Sequence, residues 1–206
     1  MKPSISQRIS RVAPRPLALS LIVGGVFALQ GCGKEEPKPA AQAPAAPAAV
    51  EVKIGHVAPL TGGIAHLGKD NENGARLALE EANAAKPTIG GKPVQFVMLA
   101  EDDQESEKQA TTVAQKLVDA KVAGVVGHLN SGMSIPASTV YNGAGIPMIS
   151  GSATNPKLTE QGYKGVFRVM GRDDQQGPAL ASYLAATRKP KVVAVIDDAT
   201  AYGEGL

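Results

Sequence analysis

No tryptophan occurs in the 206 residues, and aromatic side chains make up only 3% of them. Any core must therefore be aliphatic, and a hydrophobic content of 43% is enough to build one. Only one cysteine is present, Cys32, so the chain cannot form an internal disulfide. That cysteine and three scattered histidines offer no metal-ligand spacing, and no catalytic residue or cofactor is indicated. Neither a GxGxxG nor a phosphate-loop pattern appears, so nucleotide binding lacks support. Charge of neither sign dominates: the formal net charge is +2. Part of that excess lies in Lys2, Arg8, Arg11 and Arg15 at the extreme N-terminus. With no basic stripe interleaved with aromatics, nucleic acid is not an expected partner. The apolar run Leu17–Leu29 is too short to cross a bilayer comfortably.

That run has another use. Basic residues, a short apolar stretch and then small residues form the layout of a secretory signal. It ends in Leu29-Gln30-Gly31-Cys32, which resembles a bacterial lipobox, with Gln30 where a small or apolar residue is usual. The resemblance implies that residues 1–31 are removed and that Cys32 is lipidated. Each buried acyl CH₂ contributes about 0.8 kcal/mol, so several chains would hold a soluble domain at a membrane surface. The following stretch, GKEEPKPAAQAPAAPAA, is rich in proline and alanine and reads as an extended tether over residues 32–49.

From Val50 onward, short apolar runs alternate with amphipathic stretches. Lys53–Pro59 predicts a strand, and Ala75, Ala78, Leu79 and Ala82 follow at helical spacing. A turn at residues 89–92 precedes the alternating Val94, Phe96 and Met98 of a second strand. Ser106 is a candidate N-cap for a helix carrying Ala110, Val113, Ala114 and Leu117 on one face. Val122–Gly127 is a continuous apolar run, as expected of a strand covered on both faces. Residues 135–142 predict a helix, 147–150 and 166–170 strands, a helix follows Asp173 and Asp174, and Val192–Ile196 predicts a last strand. Repeated strand–helix units imply an α/β fold with a parallel sheet, whose ligands sit beyond the carboxyl ends of the strands.

Two of the loops at those ends carry hydroxyls just before a helix. One is Gly127–Gly132, with Ser131; the other is Ser150–Pro156, with Ser152 and Thr154. A helix N-terminus favours an anion, although Ser131 could equally be a plain helix cap. Together the loops could hold both ends of a zwitterion. His56 reads as a satisfied core or edge residue, and His66 as a candidate for the cleft wall. His128 lies near Ser131, but no acid is evident to complete a nucleophile–base arrangement.

The segments PLTGGIAHLGKDNENGARLALEEAN, GHLNSGMSIPAS, GIPMISGSATNPKLT, GPALASYL and AYGEGL resemble, in order and spacing, the leucine/isoleucine/valine-binding proteins of ATP-binding-cassette importers. The resemblance implies a type I periplasmic-binding-protein fold: two doubly wound lobes, the second truncated here. Residues 50–170 would be the first lobe, incomplete, and 171–206 the start of the second. It implies that Ser131 and Thr154 hold a ligand carboxylate, that the Ser152 carbonyl and Thr154 receive an ammonium, and that Ala153 lies among them. Tyr202 would close over the ligand from the second lobe. The family's acidic partner for the ammonium has no counterpart in this chain. Leu67 stands where relatives often have an aromatic residue, and Glu105 and Asn130 where some have a disulfide.

The implied partners are a small amino-acid-like ligand, a membrane permease and, through the lipid anchor, a membrane. The implied location is the periplasm or cell surface. Other readings remain at this point: a ligand-sensing domain of the same fold, a truncated non-functional copy, or an exported hydrolase using Ser131 or Ser152.

Overall fold

The computed structural model describes residues 48–206. The signal segment, Cys32 and all but the last two residues of the tether lie outside them. Six strands form one sheet: β1 Val50–Ala58, β2 Thr88–Ile89, β3 Lys92–Asp102, β4 Gly124–Gly127, β5 Met148–Ser150 and β6 Val166–Arg168. Their order is β2-β3-β1-β4-β5-β6, parallel throughout except for the short β2, which pairs antiparallel with β3. The chain winds from β1 to β3 on one side and then crosses to β4 on the other. That reversal creates the crevice at which open α/β sheets bind ligands.

The helices are α1 Ala65–Ala84, α2 Glu107–Asp119, α3 Ser131–Gly143, α4 Lys157–Glu160, α5 Asp173–Tyr183 and α6 Ala201–Gly205. α2 forms as its sequence predicts. The Ser106 hydroxyl caps it by accepting from the Gln109 amide, and Ala110, Val113, Ala114 and Leu117 are buried. Val113, Ala114 and Leu117 join Val57, Val125, Tyr141, Met148 and Leu158 in the core. Burying one such leucine is worth about 1.5–3 kcal/mol. On the opposite face, Asn83 of α1 exchanges two hydrogen bonds with the backbone of Phe96 in β3, at 2.9 and 2.8 Å.

Two glycines set how closely these elements meet. A Cβ on Gly68, in the first turn of α1, would lie 1.9 Å from the Pro59 carbonyl oxygen. Gly127, at the end of β4, has φ +141°, and a Cβ there would lie 2.4 Å from the Val57 carbonyl oxygen. Both contacts are at the carboxyl edge of the sheet: one seats α1 against the loop after β1, and the other lets the ends of β1 and β4 meet closely.

Three expectations need correction. α3 starts at Ser131 rather than residue 135 and carries Pro136 inside it. The proline removes only the bond to the carbonyl four residues earlier, and the helix continues through it. Val192–Ile196 forms no strand among the described residues; Val192, Val195 and Ile196 are 85%, 89% and 94% exposed. Apolar character does not make a strand without a neighbouring ladder to take its N–H and C=O groups. Instead α5 runs on into a π-helical segment, Leu184–Arg188, ending at Lys189 with φ +48°.

The third correction concerns His56, which is buried as expected but not satisfied: neither ring nitrogen has a partner. Burial pushes its pKa below the ordinary value, against the opposing charge of nearby Glu72. Glu72 is itself buried and paired with Lys69 and Arg76 at 2.7 and 2.6 Å. Because the folded state disfavours protonated His56, protons favour unfolding. Stability is expected to be full above about pH 6.5 and to fall as pH drops below that value. The urea midpoint should fall between pH 7 and pH 5, and the fall should be smaller in His56→Leu. An equal fall in both proteins would contradict the assignment.

Candidate functional site

A cleft of about 540 Å³ opens at the carboxyl edge of the sheet. Its floor is the turn from β4 into α3, residues 129–133. Ile64 and Leu67 wall it from the start of α1, Glu105 and Glu107 from the approach to α2 and its first residue, and Ser152 from the loop after β5. Residues 198–202 close the remaining side, with Tyr202 half exposed. Among the described residues, the lining includes three carboxylates, Glu105, Glu107 and Asp198, and no lysine, arginine or histidine.

The loop after β1 is held by Asp102, whose carboxylate accepts from the Leu60 amide at 2.8 Å and the Thr61 hydroxyl at 2.5 Å. Burial alone would raise the Asp102 pKa. The hydrogen bonds from Thr61, Gln104 and Leu60 outweigh it and hold the carboxyl below the ordinary aspartate range. Nearby, the Glu105 carboxylate accepts from the Ile64 amide at 3.2 Å.

The turn after β4 is fixed from beneath by His128. Its imidazole is fully buried, with Nδ1 2.9 Å from Asp103 and Nε2 3.2 Å from the Tyr141 hydroxyl. Burial pushes the Tyr141 pKa upward. The His128 carbonyl accepts from the hydroxyls of Ser134 and Ser150. An acid therefore does accompany His128, contrary to expectation. Both ring nitrogens are committed to Asp103 and Tyr141, however, and neither pairs with the Ser131 hydroxyl. The acidic run Glu101–Asp103 reads in sequence as a solvated strand end, whereas Asp103 is fully buried.

Ser131 does not cap α3. The N-cap is Asn130, and the buried Ser131 hydroxyl instead accepts from the Asn155 amide at 3.2 Å. This contact joins the two polar loops directly. Ser152 joins them again by donating to the Leu129 carbonyl at 2.7 Å. Most peptide groups of the second loop are engaged. The Ser152 and Ala153 amides point to the Ser150 hydroxyl, and the Ala153 and Asn155 carbonyls accept from Arg168. The Thr154 carbonyl accepts from the Asp173 amide. Among the described residues, the Ser152 carbonyl and the Thr154 amide have no hydrogen-bond partner. The Thr154 hydroxyl is also buried without one.

Of the residues singled out in the sequence, Ser131, Ser152 and Tyr202 line the cleft, whereas Ala153 and Thr154 do not. Ala153 is buried in the core, and Thr154 is half-buried. His66 is exposed and outside the lining, where its neighbour Leu67 stands instead. One residue was missed. Asp173, the first residue of α5, is fully buried, and neither carboxylate oxygen has a partner. It lies beside Thr154 under α6: a Cβ on Gly205 would come within 2.6 Å of its Oδ2. Acidic residues in a first helical turn ordinarily serve the helix dipole, which hides such a residue in the sequence.

A family model described as "Periplasmic binding protein" matches residues 51–206. The chain is 42% identical over 156 residues to a leucine-specific-binding protein of Salmonella typhimurium, covering 76% of this chain and 42% of that protein. It is 40% identical over 159 residues to a leucine-, isoleucine-, valine-, threonine- and alanine-binding protein of Pseudomonas aeruginosa, covering 77% and 42%. Among solved structures it is similar to a branched-chain amino acid transporter substrate-binding protein from Streptococcus pneumoniae in complex with isoleucine. There the TM-score is 0.69 and the identity 34%, over 76% of this chain and 44% of that one. The chain thus spans about two fifths of the length of these relatives.

Proposed function

The chain belongs to the periplasmic binding protein family, and from that premise we propose that it captures a branched-chain or related small amino acid outside the cytoplasmic membrane, for an ATP-binding-cassette importer. The observation that carries this reading is the pair of loops joined by the Ser131–Asn155 contact, with the Ser152 carbonyl and the Thr154 amide and hydroxyl left over beside them. Those groups suit a zwitterion. The amides and hydroxyls of Ser131 and Thr154 would take its carboxylate, and the Ser152 carbonyl its ammonium. Asp173 supplies the anionic partner the ammonium needs, since a buried carboxylate is costly without a positive or hydrogen-bonding partner.

The aliphatic wall of Ile64, Leu67, Leu129 and Met133 suits an apolar tail. The three acidic residues of the lining disfavour a ligand with a second negative charge. The relatives' names agree on small, mostly apolar amino acids. We take residues 50–170 as the ligand-binding lobe and 171–206 as the opening of the second. Tyr202 and α6 then move relative to the first lobe to admit the ligand and close over it. Closure requires the ligand to bind the closed arrangement more tightly than the open one. The work is capture rather than catalysis, and the permease receives the ligand.

Calorimetric titration of the full chain as expressed in its source should show binding of leucine, isoleucine, valine, alanine or threonine, and none of glutamate. Ser131→Ala should weaken the binding by about tenfold, the effect of losing one hydrogen bond to a charged group. Failure of all five amino acids to bind would sink the proposal. Lipidation of Cys32, with location in the periplasm or at the cell surface, completes it. Detergent phase partitioning should place the native protein in the detergent phase and Cys32→Ser in the aqueous phase; identical partitioning would refute the anchor.

A further inference from the structure

We infer that Arg168 is a positioning residue for ligand capture, setting the direction of the free polar groups in the Ser152–Asn155 loop; this rests on the proposed amino-acid binding at that loop. Arg168 ends β6 and reaches back under the loop. Its Nη1 donates to the Ala153 carbonyl at 2.8 Å. Its Nη2 donates to the Asn155 carbonyl at 2.7 Å and the Thr159 hydroxyl at 3.1 Å, with a longer contact to the Pro156 carbonyl at 3.4 Å. The two shorter carbonyl contacts fall on residues that flank Thr154 on either side.

The consequence follows from peptide geometry. Each peptide unit is planar, so fixing the Ala153 carbonyl also fixes the Thr154 amide bonded to it, pointing the opposite way. A cation beneath the loop that draws the Ala153 carbonyl downward therefore turns the Thr154 N–H away from itself. The Asp173 amide holds the next carbonyl, that of Thr154, in the same manner. Rotating the Ala153–Thr154 unit about its neighbours would require the guanidinium to surrender a charge-assisted bond in a partly buried place.

Arginine suits this task better than lysine because its planar fork reaches two carbonyls at once. Burial and the nearby Arg172 lower its pKa, while Asp173, Asp174 and Glu160 oppose that shift. None of its hydrogen bonds joins it to Asp173, and it is not among the cleft-lining residues. It would act on the ligand only through the loop.

The test uses the full chain, with leucine, isoleucine, valine, alanine and threonine as probes in calorimetric titrations. Arg168→Ala should weaken binding by about tenfold or more. Methylguanidinium at tens of millimolar should restore a large part of that affinity, and Arg168→Lys should fall between the two. A purely structural role would lower the melting temperature without such rescue. Binding by Arg168→Ala within about twofold of the unaltered chain, or a loss that methylguanidinium does not reverse, would overturn the inference. If Arg168→Ala does not fold, Arg168→Lys decides: unchanged affinity overturns the assignment and a several-fold loss supports it. Should the unaltered chain bind none of the probes, the amino-acid reading fails first and takes this inference with it. Loss confined to the variants separates the two.

Discussion

Where a parallel strand ends inside a protein, each peptide group of the following turn must find a partner that water no longer supplies. The turn after β5 meets that constraint almost entirely from fixed neighbours. Ser150 receives two amides, Ser131 a third, and Arg168 and the Asp173 amide take three carbonyls. Apart from the exposed Gly151, what is left over is the Ser152 carbonyl with the Thr154 amide and hydroxyl. The rest of the architecture depends on this arrangement, since a loop held so completely can present the remaining donors and acceptor in one direction. Preorganised polar groups of this kind bind charge without the cost of ordering them on contact.

The neighbouring turn is stiffened by different means. Gly127 lets the end of β4 approach Val57 more closely than any side chain would permit. Directly after it, the buried His128 links β3 and α3 through Asp103 and Tyr141, while its carbonyl gathers the hydroxyls of Ser134 and Ser150. One residue therefore ties β4 to β3, α3 and β5 just below the cleft floor. This histidine, for which the sequence showed no partner acid, serves the rigidity of the floor.

Much of the sheet and its covering helices was legible in the sequence because the periodicities are strong. The helical face of Ala110, Val113, Ala114 and Leu117, the Ser106 cap and the run at β4 all appear where the pattern put them. The position of the cleft was legible too, from the rule that ligands gather beyond the carboxyl ends of parallel strands. Long-range partnership was not. Nothing local says that Ser131 accepts from Asn155, that Arg168 serves the preceding loop, or that Asp173 is buried without a partner. Each depends on residues distant in sequence or on burial. Val192–Ile196 failed for the complementary reason: its composition is that of a strand, but a strand is made by its neighbour.

The central claim is that the loop after β5 holds Thr154 ready for a ligand while its neighbours are already engaged. The most direct measurement follows the backbone amide resonances of Ala153, Thr154 and Asn155 in the ¹⁵N-labelled full chain during titration with leucine. The account predicts a saturable shift concentrated at the Thr154 amide, with Ala153 and Asn155, already bonded to Ser150 and Ser131, moving little. Saturable binding that leaves the Thr154 amide unmoved, or that shifts all three alike, would contradict it.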